Sequence, residues 1–247
     1  MDLPFDLSQG QALYMAAALV VAAIVRGITG FGFSAIVVAM SALITNPLPL
    51  IPVVFSCEIA MTLFQARGIW AHIDWRRTAL LLGGTIVAIG PAVYVMARLD
   101  ETQARVAISL IIMVFSGLLA SGWQWRNPIG GRGHFAVGIV AGMANSAGVG
   151  GLPVGTFLAA QPIAPTVFRA TMIAFLTGID LLTLPVMAAN GLISDDTLPA
   201  IAMAFPLLGL GIFIGTKLFG LVSAGQFRKI VIYFLVALCA LNISATL

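Results

Sequence analysis

The sequence predicts an all-α integral membrane protein made of two inverted repeats, each with one broken, re-entrant helical hairpin and three transmembrane helices. Three observations predict this fold: the composition, two glycine-rich breaks at matching positions, and the distribution of basic residues between loops. Of the 247 residues, 60% are hydrophobic and 9% are charged, whereas a soluble protein is about 25% charged. This composition excludes a soluble enzyme and a disordered chain.

Eight apolar stretches supply the helices. They lie at about 11–45, 48–66, 78–97, 104–122, 135–160, 167–189, 197–221 and 229–246. Since about 20 apolar residues cross a bilayer, six of the stretches predict single crossings. The first and fifth stretches are interrupted by glycines, which loosen a helix. Each of these two therefore predicts a pair of half-helices that meet at a break.

The two breaks, Gly30-Phe31-Gly32 and Gly148-Val149-Gly150, each open a block of one broken element and three plain helices. A similar offset along the chain places Glu58 over Asp180. Paired interrupted segments in two halves are typical of repeat-built transporters. We therefore expect an N-terminal repeat at 1–124 and a C-terminal repeat at 125–247, together forming a single transmembrane domain.

Basic residues set the expected topology, because cytoplasmic loops are enriched in Lys and Arg. The loops 67–77 and 123–134 and the turn near 228 are basic, whereas 190–197 carries two acids and no Lys or Arg. These four assignments agree only if the fifth element enters and leaves the membrane on one side. The fifth element is therefore predicted to be a re-entrant hairpin that enters from the cytoplasm.

The same reasoning predicts that the first element is a hairpin entering from outside, with both chain termini outside. Each half then has three crossings, an odd number, so the halves are inverted relative to each other. The loop 98–105 fits less well, because it is predicted outside and yet carries Arg98 and Arg105 beside Asp100 and Glu101.

The breaks are candidate anion sites. The second half-helix of each hairpin is expected to begin half-way across the membrane, with its free N–H groups and positive dipole end pointing there. The alternative is that the glycines only allow tight helix packing. The candidate substrate-binding residues are Arg26, Thr29, Gly30, Gly32, Ser34, Asn145, Ser146, Gly148, Gly150 and Gly151.

Three charged residues lie deep in apolar stretches, where charges are costly and usually functional. Arg26 either binds the substrate anion or pairs with a buried carboxylate such as Glu58. Glu58 and Asp180 either bind a coupling proton or cation, or are fixed partners of Arg26 and of backbone N–H groups. Arg169 is expected to be an interfacial anchor, and Lys217 is expected to extend to the cytoplasmic surface.

Nothing in the sequence indicates a metal, a cofactor or a catalytic pair. His72 and His134 are expected in loops, without ligand spacing around them. A net charge of +3 does not indicate nucleic-acid binding. The expected surroundings are the lipid bilayer, and the sequence leaves a homodimer open.

Two motifs resemble those of a known family. The first break, Gly27-Ile28-Thr29-Gly30-Phe31-Gly32, and the second, Gly142 to Gly151 followed by Pro153, are similar to the motifs of the sulfite exporter TauE/SafE family. Glu58, where an Asp is more usual, and Arg169-Ala170-Thr171 also fit the resemblance, which covers the whole chain. It implies a secondary transporter of the bacterial plasma (inner) membrane that exports sulfite or a related sulfur-containing anion such as an organosulfonate.

Two other functions remain open at this point. One is a channel or exchanger for another small anion, without proton or cation coupling. The other is a non-transporting membrane subunit or an intramembrane enzyme. The enzyme is disfavoured, because no His/Asp or Ser/Lys pair occurs at helical spacing.

Overall fold

A computed structural model describes residues 3–122, 124 and 129–219, apart from the side chain at position 67. Within these residues the chain forms nine α-helices. They are α1 (Gln9–Thr29), α2 (Phe33–Ser41), α3 (Ile51–Ile69), α4 (Trp75–Met96), α5 (Glu101–Ala120), α6 (Gly131–Asn145), α7 (Gly151–Ala159), α8 (Pro165–Ala189) and α9 (Thr197–Leu218). Short 3₁₀ turns occupy Pro4–Asp6, Leu48–Leu50 and Trp70–His72. The all-helical fold is thus confirmed, and the predicted span at 229–246 lies outside the described residues.

Both predicted breaks are present, and glycines in the left-handed conformation form them. Gly30 and Gly32, with φ of 83° and 90°, separate α1 from α2, and Gly148, with φ of 75°, separates α6 from α7. Residues with a side chain rarely adopt this conformation. Gly30 also ends α1, because its N–H donates to the carbonyl of Arg26 at 2.8 Å, a common way to cap a helix C-terminus.

Each broken element folds back on itself as a hairpin. In the first hairpin, the Tyr14 hydroxyl near the start of α1 donates to the carbonyl of Met40 near the end of α2, at 3.3 Å. In the second hairpin, the ring of His134 near the start of α6 packs edge-on against Phe157 near the end of α7, with centroids 5.0 Å apart. The two breaks are therefore the tips of the hairpins.

Six of the helices are long and apolar enough to cross a membrane: α1, α3, α4, α5, α8 and α9. The first break lies at a different depth from the one that the sequence predicts. α1 runs parallel to α9, with Ala23 against Gly211 and Gly27 against Gly215, so the first break lies beside the end of α9 and not half-way along it. The reason is that α1 alone has 21 residues, the length of a full crossing. α6, with 15 residues, is shorter than a crossing.

Glycines set the closest contacts between helices. α1 packs against α9, and α6 packs against α4. A Cβ atom on Gly84 of α4 would overlap the carbonyl oxygen of Phe135, and one on Gly138 of α6 would overlap that of Leu81. Such backbone-to-backbone packing is usual for helices in membranes. At the centre of the bundle α3 packs against α8, α4 also contacts α8, and α9 also contacts α3.

Two local expectations are revised by the structure. His134 was expected in a loop but is buried in α6, because the helix begins at Gly131, ahead of the apolar stretch. The stretch 98–105, expected to be a loop, is largely helical. α5 already begins at Glu101, whose carboxylate pairs with Arg105 at 2.7 Å, and the guanidinium of Arg98 lies 3.2 Å from the ring centroid of Tyr94.

We predict that Gly84→Ala destabilises the protein by about 1–3 kcal/mol, because the added methyl group has no room. Gly117→Ala on α5 is the matched control, since no atom beyond its own stretch of helix lies within 4 Å of its Cβ position. This control is expected to be neutral or to stabilise the helix by about 0.5–1 kcal/mol. Thermal unfolding in detergent measures both, and equal shifts for the two variants would refute the close packing of α4 on α6.

Candidate functional site

Arg26, in the last turn of α1, is completely buried and makes an ion pair. Its Nη1 lies 3.0 Å from Oε1 of Glu58 on α3. Its Nη2 donates to the hydroxyl of Thr62 at 3.0 Å and to the carbonyl of Glu58 at 3.3 Å. The structure thus shows the pairing with Glu58, one of the two roles that the sequence leaves open. Substrate binding by the same guanidinium remains a prediction.

Asn145, the last residue of α6, lies directly before the second break. Its amide nitrogen donates to the hydroxyl of Thr183 on α8 at 2.8 Å. Its amide oxygen accepts the N–H of Gly150 at 3.3 Å. Asn145 therefore ties the tip of the second hairpin to α8, much as Arg26 ties the end of α1 to α3.

Asp180 of α8 lies between these two anchors and is completely buried. It is close enough to Glu58, Arg26 and Asn145 to interact with each electrostatically. Neither of its carboxylate oxygens has a hydrogen-bond partner among the described residues. In the described part of the chain, the centre of the bundle thus holds two carboxylates and one guanidinium, so Asp180 has no cationic partner of its own.

A group of buried polar side chains, called here the buried network, lies between the two breaks on α1, α3, α6 and α8. Arg26 contacts Glu58, and Asn145 accepts the N–H of Gly150. Asp180 lies between these pairs, within electrostatic range of Glu58 and Asn145. A branch runs from Arg26 through hydroxyl groups on both central helices. This branch consists of Thr62 and Thr177, whose oxygens are 2.8 Å apart.

Sequence reasoning missed the three threonines of this network, although their spacing carries a signal. Thr62 follows Glu58 by one helical turn, and Thr177 and Thr183 flank Asp180 at three residues on either side. Residues three or four apart share one face of a helix. The threonines therefore lie on the same faces of α3 and α8 as the two acids.

At the breaks, two hydroxyl side chains brace the backbone. The Thr29 hydroxyl donates to the carbonyl of Phe31 at 2.7 Å, and it accepts a hydrogen bond from the N–H of Phe31 at 3.2 Å. The Ser146 hydroxyl donates to the carbonyl of Met143 at 2.7 Å. These two residues of the predicted site hold the tips of the hairpins in shape.

The half-helices α2 and α7 each follow a buried glycine, Gly32 or Gly150, which offers no side-chain cap. At α7 the N–H groups of Gly150 and Leu152 already donate to Asn145 and to the carbonyl of Val149, and Pro153 has no N–H. Amide groups for a ligand are therefore expected mainly at the start of α2. Gly151 and Ser34 are also buried. Tight packing contributes as well, since a Cβ on Gly150 would lie 2.6 Å from Oδ1 of Asn145.

Each hairpin tip contacts the helix that follows the other hairpin. A Cβ on Gly148 would lie 3.2 Å from Cγ1 of Ile51, at the start of α3. A Cβ on Gly30 would lie 2.8 Å from Cγ of Arg169, in the first turns of α8. Arg169 also donates from Nη2 to the carbonyl of Gly27 at 2.7 Å. Arg169 thus contacts the backbone at the end of α1.

The comparison with protein families decides the identity of the chain. The family described as "Sulfite exporter TauE/SafE" matches residues 14–241. The chain belongs to the TauE/SafE family. No curated protein and no solved structure matches it.

Membership of the TauE/SafE family confirms the resemblance of the glycine motifs, and its members are membrane exporters of sulfite and related anions rather than enzymes. In this TauE/SafE chain the six long apolar helices form a multi-pass membrane protein. Of the predicted site residues, Arg26, Glu58, Asp180, Asn145 and Gly150 come together in one network. Thr29, Gly30, Gly32 and Ser34 lie at the tip of the first hairpin, and Ser146, Gly148 and Gly151 lie at the tip of the second.

We predict that Arg26→Met destabilises this TauE/SafE protein by about 3–5 kcal/mol, because it leaves two buried carboxylates without a counter-ion. Adding Glu58→Gln is expected to restore part of that loss, so the two substitutions are not additive. A double-mutant cycle measured by thermal or chemical unfolding in detergent tests this.

The matched control is the ion pair Arg105–Glu101, whose carboxylate side chain is 54% exposed. Its coupling energy is expected to stay below about 1 kcal/mol. Additive effects of Arg26→Met and Glu58→Gln would mean that the buried pair does not hold α1 against α3.

Proposed function

We propose that this protein is a secondary transporter of the bacterial cell membrane that exports sulfite or a related small sulfur-containing anion such as an organosulfonate. The observation that carries the proposal is the buried polar network between two helix breaks. Non-helical backbone inside a membrane protein is tolerated where it is buried in protein or lines a path, and intramembrane ionisable residues mark ion pathways. Alternating access then consists of rocking the two halves about this network.

The helix contacts support two repeats, at 1–124 and 125–247. Suppose that α1 corresponds to α6, α3 to α8 and α4 to α9. Exchanging the two halves then turns the contact between α1 and α9 into the contact between α6 and α4, and both contacts are present. Likewise the pairing of α3 with α9 becomes that of α8 with α4. The α3–α8 contact at the centre maps onto itself, as expected for a two-fold axis between them.

The hairpin tips support an inverted arrangement of these repeats. The tip of the second hairpin lies beside the start of α3, the helix that follows the open end of the first hairpin. The tip of the first hairpin lies beside the start of α8, which follows the open end of the second. The two hairpins therefore point in opposite directions, and in the proposed topology the first enters from outside and the second from the cytoplasm.

Cysteine labelling tests this topology in a chain in which Cys57 and Cys239 are replaced by alanine. Thr45→Cys, after the first hairpin, is expected to react with a membrane-impermeant maleimide in intact cells. Ala164→Cys, after the second hairpin, is expected to react only after permeabilisation. Asp195→Cys, in the acidic loop, is the external control. Labelling of positions 45 and 164 from one side would rule out the inverted arrangement.

For the substrate site we propose the uncapped starts of α2 and α7 together with Arg26. Helix N-termini bind anions through free N–H groups and the helix dipole. The described residues there are buried, so the binding of an anion requires one half to move. Such movement would expose the two hairpin tips to water alternately, one on each side of the membrane.

For coupling we propose that Asp180 and Glu58 bind one proton or cation between them. The two halves differ at this point, since Glu58 has a guanidinium beside it whereas Asp180 has the neutral amide of Asn145. Asp180 is therefore the carboxylate that lacks a counter-ion of its own. Burial of an unpaired charge is costly, so a bound proton or cation stabilises the network.

Flux of methanesulfonate from loaded proteoliposomes tests this function, because the charge of a sulfonate stays constant near neutral pH. Acidifying the loaded side is expected to speed efflux through the wild type, and Asp180→Asn is expected to abolish that response. Asp195→Asn, in an exposed loop, is the matched control and should keep it. Arg26→Met is expected to lower the flux itself by about tenfold or more.

Two results would contradict parts of the proposal. Efflux through the wild type that ignores imposed pH and sodium gradients would favour an uncoupled channel or exchanger. Undiminished flux in both Arg26→Met and Gly150→Leu would rule out the substrate site at the breaks.

A further inference from the structure

A cavity of about 490 Å³ lies at one end of the bundle, between α3, α8 and α9. This volume lies in the range of small-molecule sites, about 300–1,000 Å³. The cavity is lined by the last turns of α3 and α9 and by the first turns of α8. In the proposed topology this end faces the cytoplasm, from which an exporter takes its substrate.

Two cations line the cavity, Arg169 and Lys217. Neither pairs with a carboxylate among the described residues. Both are held by aromatic rings instead, with Arg169 4.5 Å from the ring centroid of Phe219 and Lys217 4.3 Å from that of Phe213. Aromatic faces attract cations without neutralising their charge, so the cavity keeps a positive potential.

Gln65 supplies a polar group in the same wall. Its residue is 7% exposed, and neither atom of its side-chain amide has a hydrogen-bond partner among the described residues. A buried, unpaired amide costs about 1–3 kcal/mol, and a leucine of similar size would avoid that cost. The amide is therefore positioned for a group that enters the cavity.

The cavity is adjacent to the first break. Arg169 lines the cavity and at the same time donates to the carbonyl of Gly27 at the end of α1. Its guanidinium is also within electrostatic range of Arg26. The side chain of Arg169 would thus lie between an anion in the cavity and the buried network.

We propose that this cavity is an anion-binding entry site, in which Lys217, Arg169 and Gln65 bind a small oxyanion before it reaches the breaks. The two cations supply charge, and the Gln65 amide donates a hydrogen bond to an oxygen of the anion. The identity of the anion as sulfite or a sulfonate rests on the proposed function; the binding of an anion at this place does not.

Sulfite binding to the purified full-length protein in detergent, measured by thermal shift, tests the inference. Lys217→Met and Gln65→Leu are each expected to weaken binding by about tenfold, the effect of losing one charged hydrogen bond. Gln65→Leu is also expected to raise the unfolding temperature without ligand, since the unpaired amide is gone. A residue that acts only in packing would not separate binding from stability in this way.

Arg98→Met is the matched control, because Arg98 also lies on an aromatic ring but follows the C-terminal end of α4, away from the cavity. Its sulfite affinity is expected to equal that of the wild type. Methanesulfonate flux, measured on the same variants, separates this inference from the proposed function. Unchanged sulfite affinity in Lys217→Met and Gln65→Leu, with transport intact in the wild type, would overturn the entry site alone. Weakened affinity in both variants, with no transport by the wild type, would support the site and defeat the function.

Discussion

The described part of the structure depends on one electrostatic constraint, a buried guanidinium that pairs with one buried carboxylate while a second buried carboxylate lies nearby. Removing charges from water is costly, and a buried ion pair is stable only when further hydrogen bonds satisfy it. Arg26 meets this condition in part, because it donates to Glu58 and Thr62 together, while its Nε and Oε2 of Glu58 have no hydrogen-bond partner among the described residues. The requirement fixes the end of α1 against the middle of α3. The remaining carboxylate, Asp180 on α8, also requires polar neighbours, and Asn145 is one of them.

Glycine makes this arrangement possible, because the polar groups reach one another only when the helices lie close together. Gly27 and Gly215 bring α1 against α9, and Gly84 and Gly138 bring α4 against α6. These four glycines are packing residues, whereas Gly30 and Gly148 at the tips are needed for their positive φ. Packing thus explains some of the glycines and the left-handed turn explains others, whereas anion binding at the tips stays a prediction.

The sequence predicts where the helices of this molecule break better than it predicts which side chains pair or how deep in the membrane the breaks lie. The breaks were predictable, because left-handed backbone at Gly30 and Gly148 requires a residue type that is visible in the sequence. The pairing of Arg26 with Glu58 was one of two alternatives, since Glu58 lies in another helix and tertiary packing decides whether the two side chains meet. The depth of the first break depends on where α9 ends beside α1. His134 was misplaced because glycines surround it at the start of α6 and resemble a loop.

In the proposed coupling, the charge of the network also determines how the binding of an anion and the binding of a proton depend on each other. Two carboxylates beside one guanidinium repel an incoming anion, and a proton on Asp180 removes that repulsion. By linkage, a bound anion then strengthens proton binding by the same factor. A proton and a monovalent anion together carry no net charge, so a membrane potential neither drives nor opposes their joint movement, whereas it contributes about 2.3 kcal/mol per charge at 100 mV to the movement of an anion alone. An anion crossing without its proton would add a second uncompensated charge to the core. The asymmetry between Arg26 and Asn145 therefore favours joint movement of proton and anion.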